Sequence, residues 1–302
     1  MHRSALKPQT LASGSFKAED SPSGLFDKSS LTDHRIRYRV RSPLYQAARS
    51  LADTIRSEPS SAVQIDRFCD DRSLRYRDFL RAFKRLSGTT PVRFLQSHRI
   101  DQAKRLLARS DITIANICHE LGYESVGTFT RTFTDLVGLT PSSFRCLVSQ
   151  VKNWDMGWFL NELQGVIPRT GSIREIPGFL SITHARGEIT FIGLFGSAIP
   201  VNELIAGAVI VGQGRFNLNV GVQAKSLFVL AASFEADATP FDTLFPDSGR
   251  IRVASTALSP QNIKTLAPIV LHLRPMSCLD PPIVYALPSL LSKRHSGSKL
   301  LL

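Results

Sequence analysis

Phe79, Arg81, Phe83, Gly88, Thr90, Pro91 and Phe94 recur, in the same order and spacing, as Phe129, Arg131, Phe133, Gly138, Thr140, Pro141 and Phe144. The chain carries one small unit twice, fifty positions apart, and an internal repeat restricts the fold before any other feature does. The matched residue types are the parts of a helix that ends in a stop. In each copy the two Phe residues lie four apart on one helical face while the Arg between them points away from it, so each unit has a core face and an exposed face. The Gly suits a left-handed helix end, and the Thr-Pro that follows prevents continuation and opens the next helix.

In the second copy the run from Ile114 to Leu121 is a short amphipathic stretch of about two turns. It leads through Gly122-Tyr123-Glu124-Ser125 into the Phe129 helix, which reads as helix-turn-helix: Gly122 makes the turn and Ser125 N-caps the second helix. Ala115 is small enough for two helices to cross closely, and Arg131 and Asp135 at four-residue spacing predict a brace on the exposed side. The first copy has Ile65, Phe68 and Cys69 in its first helix, Ser73 at a turn one residue shorter, and Arg75-Tyr76-Arg77-Asp78 opening its second. Between the copies, Val92 to Ala108 has the apolar spacing of a connecting helix of roughly 25 Å.

These residues, above all ITIANICHELGYESVGTFTRTFTDLVGLTPSSFR, closely resemble the signature of the AraC/XylS family of bacterial transcription regulators, and the resemblance covers Ser42 to Arg145. It implies a tandem helix-turn-helix domain whose two recognition helices enter successive major-groove segments of double-stranded DNA, separated by the connecting helix. Carried over by position, the resemblance places Tyr76, Arg77, Leu80 and Arg81 at the DNA in the first unit. In the second unit it places Ser125 at the helix start, followed by Val126, Gly127, Thr128, Thr130 and Arg131. Leu80 offers a thymine methyl only an apolar contact, and Thr130 and Arg131 are expected mainly at phosphate, positioning more than specifying. The first unit, with its Arg pair, is expected to carry more of the discrimination. Arg75, Lys84, Arg85, Lys104 and Arg105 are further candidates for phosphate contact. The resemblance also implies RNA polymerase or another transcription component as a partner, and it admits a small-molecule effector.

Charge agrees. Residues 1–150 hold 24 Lys+Arg against 15 Asp+Glu, or +9 of the total +12, leaving +3 for the remainder. A basic half is what counterion release on a polyanion requires, although basic charge alone equally suits RNA or a membrane surface. The start of the chain lacks the apolar core of a signal peptide, and no apolar run approaches the roughly eighteen residues a membrane span needs. Four scattered cysteines fit a reducing compartment, so a cytoplasmic, nucleoid-associated protein is expected. Cys69 and Cys118 each stand four residues before the turn residue and read as small core residues.

Beyond Arg145 the texture changes. Val148 to Leu163, with Trp154 and Trp158, predicts a helix or a hairpin-like connector. Short β-rich runs follow near 178–183, 188–195, 205–211, 215–220, 226–234, 250–254 and 269–273, punctuated by turn residues at the spacing of a β-sandwich. Phe191-Ile192-Gly193-Leu194-Phe195, Ala198-Ile199-Pro200, Gly214-Arg215-Phe216, Leu230-Ala231-Ala232 and Asp280-Pro281-Pro282-Ile283 resemble the transthyretin-like or carboxypeptidase-regulatory-like sandwich.

The expected layout is multidomain, an all-α tandem helix-turn-helix domain followed by an all-β sandwich. It comprises a disordered leader over 1–34, the DNA-binding domain over 35–147, a connector over 148–170, the sandwich over 171–288 and a tail over 289–302. No metal-ligand spacing, nucleophile elbow or phosphate-cradling Gly loop stands out, so neither an enzyme nor a bound cofactor or metal is expected. An adaptor or scaffold, whose β-domain binds a protein or small effector while DNA binding is vestigial, is the alternative the sequence leaves open.

Overall fold

The computed structural model describes residues 42–61, 63–167, 173–181, 188–200, 204–221 and 227–291. The expected leader and all but the first three residues of the expected tail lie outside them. Among the described residues seven helices come first: α1 (Pro43–Ser57), α2 (Ile65–Asp70), α3 (Tyr76–Ser87), α4 (Pro91–Arg109), α5 (Ile114–Glu120), α6 (Val126–Val137) and α7 (Pro141–Val151). The repeat is visible as α3 and α6, whose bounds differ by fifty residues at both ends. Both stop for one reason, a C-cap glycine in the left-handed region, Gly88 at φ +77° and Gly138 at φ +91°. Thr90 and Thr140 then cap α4 and α7 by accepting from the backbone N–H of Arg93 (3.4 Å) and Ser143 (3.2 Å), with a proline at the start of each helix. The turns inside the two units are equivalent as well. Ser73 sits at φ +52° where the second copy has Gly122 at φ +71°.

Each unit has a phenylalanine-centred core. In the first, Phe79, Phe83 and Phe94 pack in sequence, their ring centroids 6.0 and 5.5 Å apart, against Cys69 and the Leu51 and Ile55 face of α1. In the second, Phe129, Phe133 and Phe144 repeat the chain at 5.8 and 5.6 Å against Cys118 and the Ile100, Ala103 and Leu107 face of α4. Both cysteines are fully buried. Ala115 is exposed, so the close helix crossing expected there is made instead by Ile117 and Cys118. Among the described residues Arg131 and Asp135 form no ion pair, and the expected brace is absent.

The stretch expected as helix or hairpin is helical. Helix α7 runs to Val151, and α8 (Met156–Val166) starts at Asp155, whose carboxylate accepts from the Trp158 N–H at 2.9 Å. Eight strands follow among the described residues, with a short helix α9 (Pro260–Thr265) after the sixth: β1 (Ile173–Ser181), β2 (Ile189–Phe195), β3 (Ala206–Val211), β4 (Gly214–Gly221), β5 (Leu227–Phe234), β6 (Arg252–Leu258), β7 (Ile269–His272) and β8 (Arg274–Pro275). They form a three-stranded sheet in the order β4-β1-β7 and a five-stranded sheet in the order β3-β2-β5-β6-β8. All pairs are antiparallel except β1 with β7, where Gly178 faces Ile269.

Strand alternation sorts the side chains. Ile192, Leu194, Val229 and Ala231 face Ile176, Leu180 and Leu218 of the smaller sheet, which makes the expected sandwich core. The alternate residues Phe191, Phe195 and Phe234 turn the opposite way and pack on Phe159 and Leu163 of α8 and on Tyr285 and Leu290 of the C-terminal segment. This third layer is why every residue of β2 is buried, where a simple sandwich would leave one face wet.

The β-rich half also completes the helical cores. Leu279 enters the first, and Ile199, Leu244, Val284 and Ala286 enter the second. The Ala286 N–H donates to the carbonyl of Val137, the last residue of α6, at 3.1 Å. A Cβ placed on Gly138 would lie 3.1 Å from Ser289 Oγ, and one on Gly88 would touch the Cβ of Ala198 at 3.5 Å. Gly138→Ala is therefore expected to lower stability by about 1–2 kcal/mol, and Ser73→Gly to raise it by about 0.5–1 kcal/mol by relieving a left-handed serine. Urea denaturation of the two variants beside the parent measures both.

Candidate nucleic-acid interface

Burial of the two Phe rows fixes what α3 and α6 present outward. On α3, Tyr76, Arg77 and Arg81 are exposed and Leu80 is half-buried; Arg75, Lys84 and Arg85 extend the exposed basic surface along the same helix. On α6, Ser125, Val126, Gly127, Thr128 and Arg131 are exposed and Thr130 is half-buried. The positions named by the resemblance thus share the outward faces of two equivalent helices.

The two faces differ in chemistry. Three residues at three-residue spacing, Arg75 at the N-cap of α3 and Asp78 and Arg81 within it, form an ion-pair ladder. Asp78 accepts a short hydrogen bond from Arg81 Nη2 and lies 3.5 Å from Arg75 Nε. The bond from Arg81 holds the Asp78 carboxyl below its ordinary range. Asp78 therefore aims two guanidinium groups, and it also places a negative charge in the middle of the basic face. The i, i+3, i+6 alternation of sign is visible in the sequence, but the partners that Asp78 bonds are set by the rotamers. On α6 the Ser125 hydroxyl accepts from the Thr128 N–H at 3.2 Å and donates to Thr128 Oγ1 at 2.9 Å, so both side chains are engaged in closing the helix start. Val126 remains 39% exposed and a Cβ on Gly127 would meet nothing within 4 Å. The first turn of α6 thus offers apolar surface and open space rather than donors.

The separation of the two helices rests on α4, which is tied at its middle and near its C-terminal end. Arg99 donates to the carbonyls of Pro59 (2.8 Å) and Ser61 (3.2 Å), binding α4 to the loop after α1. Its guanidinium also lies 5.7 Å from the Tyr123 ring in the turn of the second unit. Arg145 on α7 donates to the carbonyl of Leu107 at 3.4 Å.

One expected phosphate contact is corrected by the structure. Lys104 is fully buried, its ammonium 5.8 Å from the Phe144 ring and 5.7 Å from the Phe245 ring, without a hydrogen-bond partner among the described residues. It faces inward because α4 packs on α7 and because the segment carrying Phe241 and Phe245 covers it. Arg105, the next residue, is half-buried and paired with Asp101 at 3.0 Å.

Residues 69–146 match the family model of a helix-turn-helix domain. Over 130 residues the chain is 30% identical to the HTH-type transcriptional activator RhaR of Escherichia coli K12, an alignment covering 42% of this chain and 46% of RhaR. The chain thus spans about half the length of the curated relatives it matches. Two solved structures show similarity over about a third of this chain. One is a transcriptional regulator with an AraC-type DNA-binding domain from Chromobacterium violaceum, at 23% identity and TM-score 0.32, covering 35% of this chain and 95% of that one. The other is the DNA-binding domain of AdpA in complex with a target DNA, at 21% identity and TM-score 0.33, covering 37% of this chain and 99% of that one. Residues 69–146 thus belong to a helix-turn-helix domain within the helical half, and a β-sheet-rich half follows it.

Burial pulls the Lys104 ammonium down to about 8 from an ordinary value of 10.5. Between those values the unfolded chain holds the proton and the folded chain does not, so this group makes stability rise with pH across that window. Below it the full cost of a buried charge applies. Lys104→Met is expected to raise stability at pH 7 by roughly 1–3 kcal/mol, and the advantage should shrink by pH 9.5. Urea denaturation of both proteins at the two pH values is the check.

Proposed function

We propose that this protein is a sequence-specific, DNA-binding transcription regulator that reads two adjacent major-groove segments of one duplex with α3 and α6. The observation that carries the reading is the paired burial of Phe79/Phe83 and Phe129/Phe133, which turns Arg77, Arg81 and Arg131 outward on equivalent helices joined by α4. The relatives' printed names, a transcriptional activator and a DNA-bound regulatory domain, support it. So does the +9 charge of residues 1–150.

In this reading the units divide the work. Arg77 and Arg81 on α3 are the residues equipped for bidentate contact with guanine, Leu80 for a thymine methyl, and Tyr76 flanks them. Helix α6, with Ser125 and Thr128 engaged in its cap and Val126 and Gly127 carrying no donor side chain, uses Thr130 and Arg131 mainly to hold phosphate and fix register. Arg75, Lys84, Arg85 and Arg105 supplement the phosphate contacts. The protein works in the cytoplasm at the nucleoid, and RNA polymerase or another transcription component is its partner in regulation.

Selection of bound duplexes from a random pool, followed by footprinting, tests this directly; two protected segments about one helical turn apart are expected. Protection of a single short segment would remove α6 from the reading surface, and no selectable duplex at low salt would overturn the proposal in favour of a scaffold. With a selected site in hand, Arg81→Ala should cost roughly 1–3 kcal/mol and relax selectivity at one position. Arg131→Ala should weaken all duplexes alike and reduce the salt slope by about 0.9. Asp78→Asn should strengthen binding to unselected duplexes several-fold at low salt by removing the carboxylate that opposes phosphate. Fluorescence anisotropy over a salt series reads all three.

A further inference from the structure

The outer face of the five-stranded sheet is not fully covered. A cavity of about 350 Å³ lies between it, α8, the C-terminal segment and the end of α3. It exists because the strands place small residues at neighbouring positions on that face. Gly193 pairs with Leu230, Leu230 with Ser255, and Ala232 sits between Phe191 and Val253. Gly193 is fixed by its neighbours, since a Cβ there would fall 2.5 Å from the Phe195 ring and 2.9 Å from Leu204. Interiors normally close-pack, and an unfilled apolar void costs stability in proportion to its volume. A cavity of this size, lined chiefly by hydrocarbon with a few polar groups at one side, has the character of a small-molecule site.

The polar side narrows the ligand chemistry. Arg274 and Asp280 line it but satisfy each other through two parallel hydrogen bonds of 2.6 and 2.7 Å. Arg85, at the end of α3, also lines it, is exposed, and is met by no carboxylate among the described residues. The body of the site is apolar and aromatic, and among the described residues its one uncompensated charge is a cation.

We infer that the cavity binds an apolar small molecule of about two fused rings in bulk bearing one acidic group, which is received by Arg85, and that occupancy weakens DNA binding. The coupling follows from the walls. Ser87 and Gly88 close the first recognition helix, while Tyr285, Leu287 and Leu290 belong to the segment whose Ala286 N–H bonds to the last residue of the second. A ligand here touches the trailing end of the first and the segment that bonds to the trailing end of the second, occupies an arginine that stands beside the reading face, and adds a negative charge there. The regulatory half of this inference rests on the DNA-binding reading; the site does not.

The probes are 8-anilinonaphthalene-1-sulfonate, an acid with two fused rings and an anilino substituent, and its uncharged counterpart N-phenyl-1-naphthylamine, titrated into the full chain and followed by fluorescence. One saturable equivalent is expected, with the sulfonate at least fivefold tighter than the amine and Arg85→Ala bringing the two together. Ala232→Phe or Val253→Phe, each verified by circular dichroism, should cut binding at least tenfold by filling the space. In the parent chain the sulfonate should slow hydrogen exchange in peptides spanning 228–234 and 277–291. Multiple weak equivalents, an amine as tight as the sulfonate, or protection elsewhere only would overturn the site.

The DNA arm is separate. Saturating sulfonate should weaken duplex binding at least threefold, and an unchanged affinity overturns the coupling. A chain that takes up one equivalent of probe but ignores every duplex keeps the site and removes the regulator, whereas one that binds duplex but no probe does the reverse.

Discussion

Two phenylalanines four residues apart, sunk into a core, decide which way a recognition helix faces. Phe79 and Phe83 do this for α3, and Phe129 and Phe133 for α6. Each pair is extended by the next aromatic of the repeat, Phe94 or Phe144, at the start of the following helix. Once these rows are buried, the arginine between each pair has only solvent to enter. The glycine caps and threonine-proline starts then set where each helix ends and the next departs, so orientation and length are both dictated within about sixteen residues.

The copies have diverged in what they do with the same frame. The first kept a dense set of charges on its outward face, organised around Asp78. The second has no donor side chain at Val126 or Gly127 and closes its start through Ser125 and Thr128. A single scaffold thus supports one face suited to discrimination and another suited to anchorage, and the difference lies in side chains that bear little on the fold.

The helices were legible in the sequence because their causes are local: cap glycines, N-cap threonines and the Phe spacing lie within a few residues of what they determine. Most strands were legible from alternation and turn residues. Their pairing was not, because β1 meets β7 in parallel almost ninety residues later, and nothing in either run specifies that partner. Lys104 shows the same limit at one residue. A lysine on an amphipathic helix reads as surface, and its burial depends on Phe245, far along the chain. The extra layer over the five-stranded sheet was likewise hidden, since a segment containing Asp280-Pro281-Pro282 has no periodicity to betray that it packs. The exposed faces of α3 and α6 were readable from the repeat, whereas the role of Asp78 needed the rotamers.

The contribution of Val284 and Ala286 to the second helical core has a consequence for biosynthesis. The first unit has nearly all of its core residues once α4 has emerged, but the second stays open on one side until the chain has been extended by roughly 140 residues past Phe144. At translation speeds of about 5–20 residues per second that is a delay on the order of ten seconds. A nascent chain therefore spends that interval with one finished head and one unfinished, and it acquires both together only when its last strands and the segment beyond them have left the ribosome.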